Sequence, residues 1–268
     1  MDDVKIHFPD NNHRQQMQNL KPHDVSVFCH HKTDVNLILH VSDAINKALV
    51  NESNIHPDMT DQRKINGFSG ISFRHFLNNV ASYSGINYLE VGTFCGSTLL
   101  SVLYNNLDKI TSAYAMDNWS EFGDSPALNA RVLAQRLEKY VPDPDSKLTF
   151  YEEDCFAFDK SKIQHKINLY FYDGAHSQQD QKMAFTYFDE VLDDTFIAVV
   201  DDWEQGEVRN GTLDAFEKLG YNILASWQII PRPRERKTEN PDYNWWLGAF
   251  IAVVKKTQSS KEQVSENN

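Results

Sequence analysis

The sequence predicts a doubly wound α/β fold in which a mostly parallel, seven-stranded sheet ends in an antiparallel β-hairpin. From residue 85 onward, short apolar runs alternate with longer helix-forming stretches, which is the pattern of strand–helix–strand units. The last two strand-like runs have no helix between them, so we expect them to pair as a hairpin. At 268 residues, the chain is long enough to bury the core of one such domain.

Each element follows from its place in this alternation. Five runs predict the parallel strands, at residues 88–91, 110–116, 148–151, 167–172 and 195–200. The helices that follow these strands are predicted at residues 97–106, 126–140, 178–192 and 212–219. The hairpin strands are predicted at residues 221–230 and 245–255, which would place one of Trp245 and Trp246 in the core and the other outside it.

The chain before residue 85 is less regular. We expect three regions: an N-terminal extension and helical cap at 1–84, the main domain at 85–256, and a disordered tail at 257–268. The extension is expected to contain a strand at 25–29, an apolar run at 35–39, and helices at 41–50 and 73–83.

Composition narrows the class of protein. The formal net charge is −12, from 26 basic and 38 acidic residues, which disfavours a broad nucleic-acid-binding face. No stretch has the apolar length of a membrane span, and the N-terminal residues do not resemble a signal peptide. The three cysteines are odd in number and widely spaced, which disfavours a disulfide framework. These features predict a cytoplasmic protein that binds neither nucleic acid nor membrane, and a homo-oligomer is compatible with them.

The segment YLEVGTFCGSTLL, at residues 88–100, predicts a strand, a tight turn and the start of a helix. Gly92 and Gly96 would let the backbone approach a ligand closely. A dinucleotide turn requires G-x-G-x-x-G, but its second and third glycines would fall on Phe94 and Ser97. A phosphate-binding Walker loop is excluded as well, because no Gly-Lys-Ser/Thr follows.

A ligand with a nucleoside and a small zwitterion, but without phosphates, fits this turn better. S-adenosylmethionine is such a ligand, and Glu90 would be placed to meet its ammonium group. Gly92, Thr93, Gly96 and Ser97 are the other candidate binding residues of the turn. An ordinary strand–turn–helix corner without a ligand is the alternative.

The motif E-V-G-T-x-x-G resembles the first motif of class I methyltransferases. Five parallel strands followed by a terminal hairpin are also similar to the Rossmann-like architecture of that family. The resemblance implies S-adenosylmethionine as cofactor. The G-F-S-G sequence at residues 67–70 would be a turn before a helix, or would close over the methionine end of the cofactor.

Further binding residues are expected at the carboxyl ends of the next two strands. Asp117 could accept hydrogen bonds from both ribose hydroxyls, and the neighbouring Asn118 and Trp119 would lie beside the nucleoside, with the indole facing the purine. Asp154 and Cys155 follow the third strand, where the resemblance implies contact with the adenine amino group. Asp154 could instead cap a helix.

The fourth and fifth strands bring three carboxylates, Asp173, Asp201 and Asp202, to one edge of the sheet. Because such charges repel, a hard divalent cation would lower their energy, and oxygen ligands suit Mg²⁺ or Ca²⁺ better than zinc. Asp201 and Asp202 could instead cap the next segment and face water. Adjacent residues of an extended strand point to opposite faces, which favours that alternative for one of them.

D-G-A-H at residues 173–176, followed by the Asp-Asp pair, resembles macrocin-type sugar O-methyltransferases, a magnesium-dependent group related to catechol O-methyltransferase. These motifs also recur in uncharacterised methyltransferases, including phage-encoded ones. The resemblance implies that Asp173, Asp201 and Asp202 hold the ion, that Asp173 also borders the cofactor, and that His176 is the general base. It predicts methyl transfer to a hydroxyl of a small molecule or sugar. Metal-independent transfer to another oxygen or a nitrogen, and a non-catalytic binding protein on the same scaffold, are the alternatives.

Overall fold

The structure is a computed structural model that describes residues 5–7, 24–27, 32–120, 125–230 and 245–257, with side chains from residue 34 onward. The predicted tail beyond residue 257 lies outside these residues. So do Cys29 and most of the loop that joins the two hairpin strands.

Six helices and nine strands are found in the described residues. The helices are α1 (Lys32–Leu49), α2 (Ile71–Val80), α3 (Ser97–Leu103), α4 (Pro126–Tyr140), α5 (Gln178–Phe188) and α6 (Gly206–Leu219). The strands are β1 (Lys5–His7), β2 (Asp24–Val27), β3 (Ile86–Val91), β4 (Ile110–Met116), β5 (Leu148–Tyr151), β6 (Ile167–Tyr172), β7 (Leu192–Asp201), β8 (Asn222–Ile229) and β9 (Ala249–Lys255).

The described strands form one sheet in the order β1-β2-β8-β9-β7-β6-β3-β4-β5. Strands β3 to β7 are parallel neighbours, and β9 pairs antiparallel with both β7 and β8. This confirms the predicted mostly parallel, seven-stranded sheet with its terminal antiparallel pair. Strand β2 adds to it by pairing antiparallel with β8, where Val25 lies opposite Trp227, and β1 runs parallel to β2.

Helices cover both faces of the sheet, as expected for a doubly wound fold. Leu169 and Phe171 of β6 pack on one side with residues of α1 to α4, such as Phe73. Tyr170 and Tyr172 of the same strand pack on the other side with α5 and α6. Two cores therefore hold the central parallel strands rigidly, and their carboxyl ends meet at one edge.

The first helix begins earlier than the sequence suggested. The apolar run at residues 35–39 is not a separate element but belongs to α1, which starts at Lys32 instead of residue 41. Its buried side chains are spaced three and four residues apart, which marks one face of a helix: Asp34, Ile38, Val41, Ala44, Ile45 and Ala48.

The last strand begins later than predicted. Residues 245–247 form a turn, and β9 starts at Ala249. Trp245 is buried and Trp246 half-buried, so the tryptophans differ in exposure for a reason other than strand alternation. Among the described residues, none of the helices combines the length and apolar character needed to cross a membrane.

Candidate active site

A cavity of about 480 Å³ opens at the carboxyl edge of the parallel strands. Its walls come from the ends of β3 to β7 and the residues that follow them, together with residues near Phe68 and Trp246. Most of the site residues predicted from the sequence line this cavity: Gly92, Thr93, Ser97, Asp117, Asn118, Trp119, Asp154, Cys155, Asp173, His176, Asp201 and Asp202. Glu90 and Gly96 do not.

The turn after β3 is pressed against the end of β6. A Cβ at Gly92 would lie 1.9 Å from the carbonyl oxygen of Asp173, and Gly92 has φ 90°, so only glycine fits. This contact holds Thr93 and Ser97 at the cavity wall beside Asp173. Gly96 takes the position just before α3, outside the cavity lining.

Glu90 lies outside the cavity lining, and its direct contact with a ligand ammonium group stays a prediction. It is fully buried, and each carboxylate oxygen accepts a hydrogen bond: Tyr88 Oη donates to Oε2 at 2.5 Å and Thr98 Oγ1 to Oε1 at 2.8 Å. Burial raises the pKa of Glu90 to about 7, although these hydrogen bonds oppose the shift. Glu90 therefore lies behind the wall, and the Thr98 hydroxyl that it binds lines the cavity.

Asp117 is held by two backbone donors. The N–H of Phe94 donates to Oδ2 and the N–H of Trp119 to Oδ1, both at 2.6 Å. Burial raises the pKa of Asp117, and the two backbone bonds oppose that rise. Each oxygen keeps a second lone pair, so the carboxylate can still accept two hydroxyl groups from the cavity.

The Trp119 ring is fixed as well. Its Nε1 donates to the carbonyl oxygen of Phe94 at 2.9 Å, and its centroid lies 5.4 Å from that of Phe150. The side chain is buried, so one face packs in the core while the residue still borders the cavity. Asn118, in contrast, is exposed and accepts the backbone N–H of Ser120.

Asp154 does not cap a helix, as the alternative interpretation expected, but closes a turn after β5. Its Oδ1 accepts the N–H groups of Phe156 at 2.8 Å and Ala157 at 3.2 Å, while the residue stays exposed at the cavity rim. Burial raises the pKa of the neighbouring Cys155 thiol to about 12, so this thiol is neutral at neutral pH. Both residues border the cavity and offer hydrogen-bonding atoms to a ligand there.

Three carboxylates and one imidazole lie close together at the ends of β6 and β7. His176 Nε2 is 3.5 Å from Asp202 Oδ2 and 3.9 Å from Asp173 Oδ1. Burial raises the pKa of all three aspartates, and repulsion among them raises those of Asp173 and Asp201 further. The cluster therefore carries more negative charge than its surroundings stabilise.

Both residues of the Asp-Asp pair line the cavity, against the expectation that one would point away. Strand β7 ends at Asp201, and Asp202 has φ 53°, in the left-handed region that is costly for a residue with a Cβ. The turn ends the alternation of the extended strand, so the side chain of Asp202 lies on the cavity side, as that of Asp201 does. Its Oδ2 accepts a hydrogen bond from Gln205 Nε2 at 2.6 Å.

The predicted metal ligands are neighbours but are not arranged as a metal centre. Among the described residues, no group of three or more histidine, cysteine, aspartate or glutamate side chains is positioned to hold an ion. Their donor chemistry nevertheless suits a hard divalent cation. His176 Nε2 is buried and has no hydrogen-bond partner among the described residues. Because buried polar atoms are normally paired, this atom is a candidate to bind a ligand or a proton.

Aromatic residues outside the predicted site set stand at the mouth of the cavity. Phe68 is 54% exposed, and its ring centroid lies 5.4 Å from that of Phe94 and 6.3 Å from that of Trp246. Ser69, next to Phe68, also lines the cavity. The G-F-S-G turn was the available signal, but only the fold brings residues 67–70 to the sheet edge.

Residues 89–203 match the family described as a methyltransferase domain. A search of the curated proteins found no match. Among solved structures, a protein from Corynebacterium glutamicum is similar over 82% of this chain and 99% of its own, with 13% identity and a TM-score of 0.51. Cofactor-bound Rv0187 from MTB is similar over 85% and 99%, with 14% identity and a TM-score of 0.50.

An O-methyltransferase from Bacillus cereus, in complex with SAH, shares 12% identity over 80% of this chain and 91% of its own, with a TM-score of 0.45. At such identities, the two structures with the higher TM-scores show a shared fold.

Proposed function

Since the chain carries a class I S-adenosylmethionine-dependent methyltransferase domain, we propose that it transfers the methyl group to a hydroxyl oxygen of a small molecule or sugar. The observation that carries this proposal is the meeting of His176 with Asp173, Asp201 and Asp202 in the cavity that the glycine turn also lines. A hydroxyl is a poor nucleophile until its proton is removed, and this cluster can accept and stabilise a proton.

The cofactor would lie along β3, β4 and the residues after β5. Asp117 would accept the two ribose hydroxyls, because each of its oxygens keeps a lone pair beside its backbone bond. Gly92, Thr93 and Ser97 would border the methionine part, with Glu90 and Gly96 supporting the turn from behind. Asn118 and Trp119 would border the nucleoside, Asp154 and Cys155 the adenine, and Asp173 the sulfonium end.

His176 would act as the general base. Its Nε2 lies within ion-pair distance of Asp202 but makes no hydrogen bond among the described residues, so it is free to receive the acceptor's proton. Asp202 and Asp173 would stabilise the imidazolium that forms. The turn at Gly92 lies against the end of β6, so a cofactor bound at this turn would hold its methyl group near this base.

We also propose that Mg²⁺ assists, held by Asp173, Asp201 and Asp202. The carboxylate donors fit such an ion, and its charge would relieve the repulsion that raises the pKa values of Asp173 and Asp201. When bound, the ion would orient the acceptor and lower the pKa of its hydroxyl.

Methyl transfer from isotopically labelled S-adenosylmethionine to a panel of sugars, catechols and amines, with Mg²⁺ or with EDTA, tests this proposal. Mass spectrometry should find the label on a hydroxyl oxygen, with turnover that requires Mg²⁺. We expect Asp201→Asn to lower kcat by more than about 100-fold and His176→Gln by about 10²–10⁴-fold. Asp194→Asn, at the far end of β7, is the matched control and should be unaffected.

Methyl transfer without a metal is the second candidate, and the absence of an arranged three-ligand group among the described residues favours it. In that case His176, oriented by Asp202, would act alone. Full activity in EDTA would support this candidate and refute the magnesium proposal. Label found only on nitrogen would refute transfer to a hydroxyl.

A further inference from the structure

We propose that Arg74 positions the carboxylate end of the bound cofactor through a relay of two hydroxyl groups, those of Ser69 and Ser97. Arg74 is then a positioning residue for methyl transfer, although it does not itself line the cavity. This inference rests on the cofactor site proposed above.

The charge that lines the cavity is mainly acidic, which disfavours binding of a carboxylate. Seven aspartate and glutamate residues line it, whereas no lysine or arginine is found among the described lining residues. S-adenosylmethionine carries a carboxylate on its methionine part, which those side chains repel. Binding therefore requires donors that offset this repulsion at the methionine end.

Arg74 is a buried cation next to that end, and Arg136 instead bonds Cys95 and Asn66. It lies on α2 and is 0% exposed. Its Nη1 donates to the carbonyl oxygens of Met59 at 2.9 Å and Ile65 at 2.8 Å, and its Nε donates to Ser69 Oγ at 2.9 Å. The guanidinium thus fixes residues 59–69 and points one N–H at a cavity-lining serine.

The direction of the relay follows from what each group can donate. A guanidinium only donates, so Ser69 Oγ accepts from Arg74 and keeps its own hydrogen for another partner. Ser97 Oγ lies 3.1 Å away, where either hydroxyl can be the donor, and in the relay Ser69 donates. Ser97 can then turn its hydrogen toward the cavity, which it lines, and the positive charge of Arg74 polarises both hydroxyls.

The surrounding structure is built tightly around this relay. A Cβ at Gly67 would lie 2.2 Å from Ser97 Oγ, so the loop before α2 rests directly on that serine. Ser69 and Ser97 are only 2% and 7% exposed. The Thr93 hydroxyl is 2% exposed and also lines the cavity. It offers a second donor to the same ligand group.

Calorimetric titration with two ligands tests the relay. S-adenosylmethionine and decarboxylated S-adenosylmethionine differ only in the carboxylate. Ser69→Ala should weaken binding of S-adenosylmethionine by about tenfold or more, the range of a hydrogen bond to a charged group, and should leave the Kd of the decarboxylated ligand unchanged. Substituting Ser69 keeps the buried bonds of Arg74 to Met59 and Ile65, which hold the loop before α2.

Ser72→Ala is the matched control. Ser72 is a buried serine on the same helix as Arg74, and its hydroxyl bonds Asn51, away from the cavity. It should bind both ligands as the wild-type protein does. Equal losses for both ligands in Ser69→Ala, or no loss for either, would overturn the relay. Failure of the wild-type protein to bind S-adenosylmethionine would instead overturn the cofactor assignment itself.

Discussion

The two halves of the cavity differ in how completely their polar groups are satisfied before any ligand binds. In the cofactor half, Asp117 receives two backbone N–H groups at 2.6 Å. In the reaction half, burial raises the pKa of Asp173 and of Asp201, and repulsion from Asp202 raises both further. His176 Nε2 has no hydrogen-bond partner among the described residues. The cofactor half is therefore preorganised for a ligand. In the reaction half the carboxylates repel one another, and binding of a proton or a cation would lower that repulsion.

Glu90 is the exception within the cofactor half and should produce the largest effect on stability. Its pKa rises from 4.5 to about 7 because it is buried, so the folded state binds its proton more tightly than the unfolded state. This contribution is fully present below pH 4.5 and is lost as pH rises to 7. The loss amounts to about 3 kcal/mol of unfolding free energy.

Glu90→Gln imitates the protonated side chain and should remove that loss. Chemical denaturation of ligand-free protein between pH 4 and pH 8 measures it, as the difference between the wild-type and variant curves. The two curves should diverge as pH rises. If they stay parallel, Glu90 does not titrate in this range, and the buried environment assigned to it is wrong.

Substitutions of one aspartate in each half should change the unfolding free energy by a smaller amount, and in different directions. Asp201→Asn removes a buried, repelled charge and should leave unfolding free energy unchanged or raise it, in metal-free buffer. Asp117→Asn places an NH₂ group against a backbone N–H of Phe94 or Trp119, and should lower unfolding free energy by about 1–3 kcal/mol. Urea denaturation at pH 7 compares both variants. If both variants lower the unfolding free energy, or both raise it, the proposed difference between the halves is wrong.

The carboxyl ends of the strands were readable from the sequence because a parallel sheet brings them to one edge. Asp117, Asp173 and Asp201 all line the cavity for that reason. The bounds of β4, β5 and β6 were predicted correctly as well, since their apolar runs are short and sharply delimited. The hydrophobic pattern was therefore enough to predict a residue's place where that place depends only on the strand that carries it.

Prediction failed where a position depends on turn conformation or on distant chain. Asp202 joins the cavity because its φ of 53° breaks strand alternation. Glu90 is screened by Thr98, a contact that alternation alone does not reveal. Ser69 reaches Ser97 only because α2 packs against the sheet, with Arg74 holding the intervening loop. None of these arrangements is encoded in a motif.

A thermal-shift panel tests the central claim, that this cavity is an S-adenosylmethionine site, most directly. The ligands are S-adenosylmethionine, S-adenosylhomocysteine and NAD, each with and without Mg²⁺. A ligand at 100 times its Kd stabilises the folded state by about 2.7 kcal/mol, so both adenosyl compounds should raise Tm clearly. NAD should not, because Phe94 and Ser97 stand where a dinucleotide turn needs glycine. No response to either adenosyl compound would contradict the account.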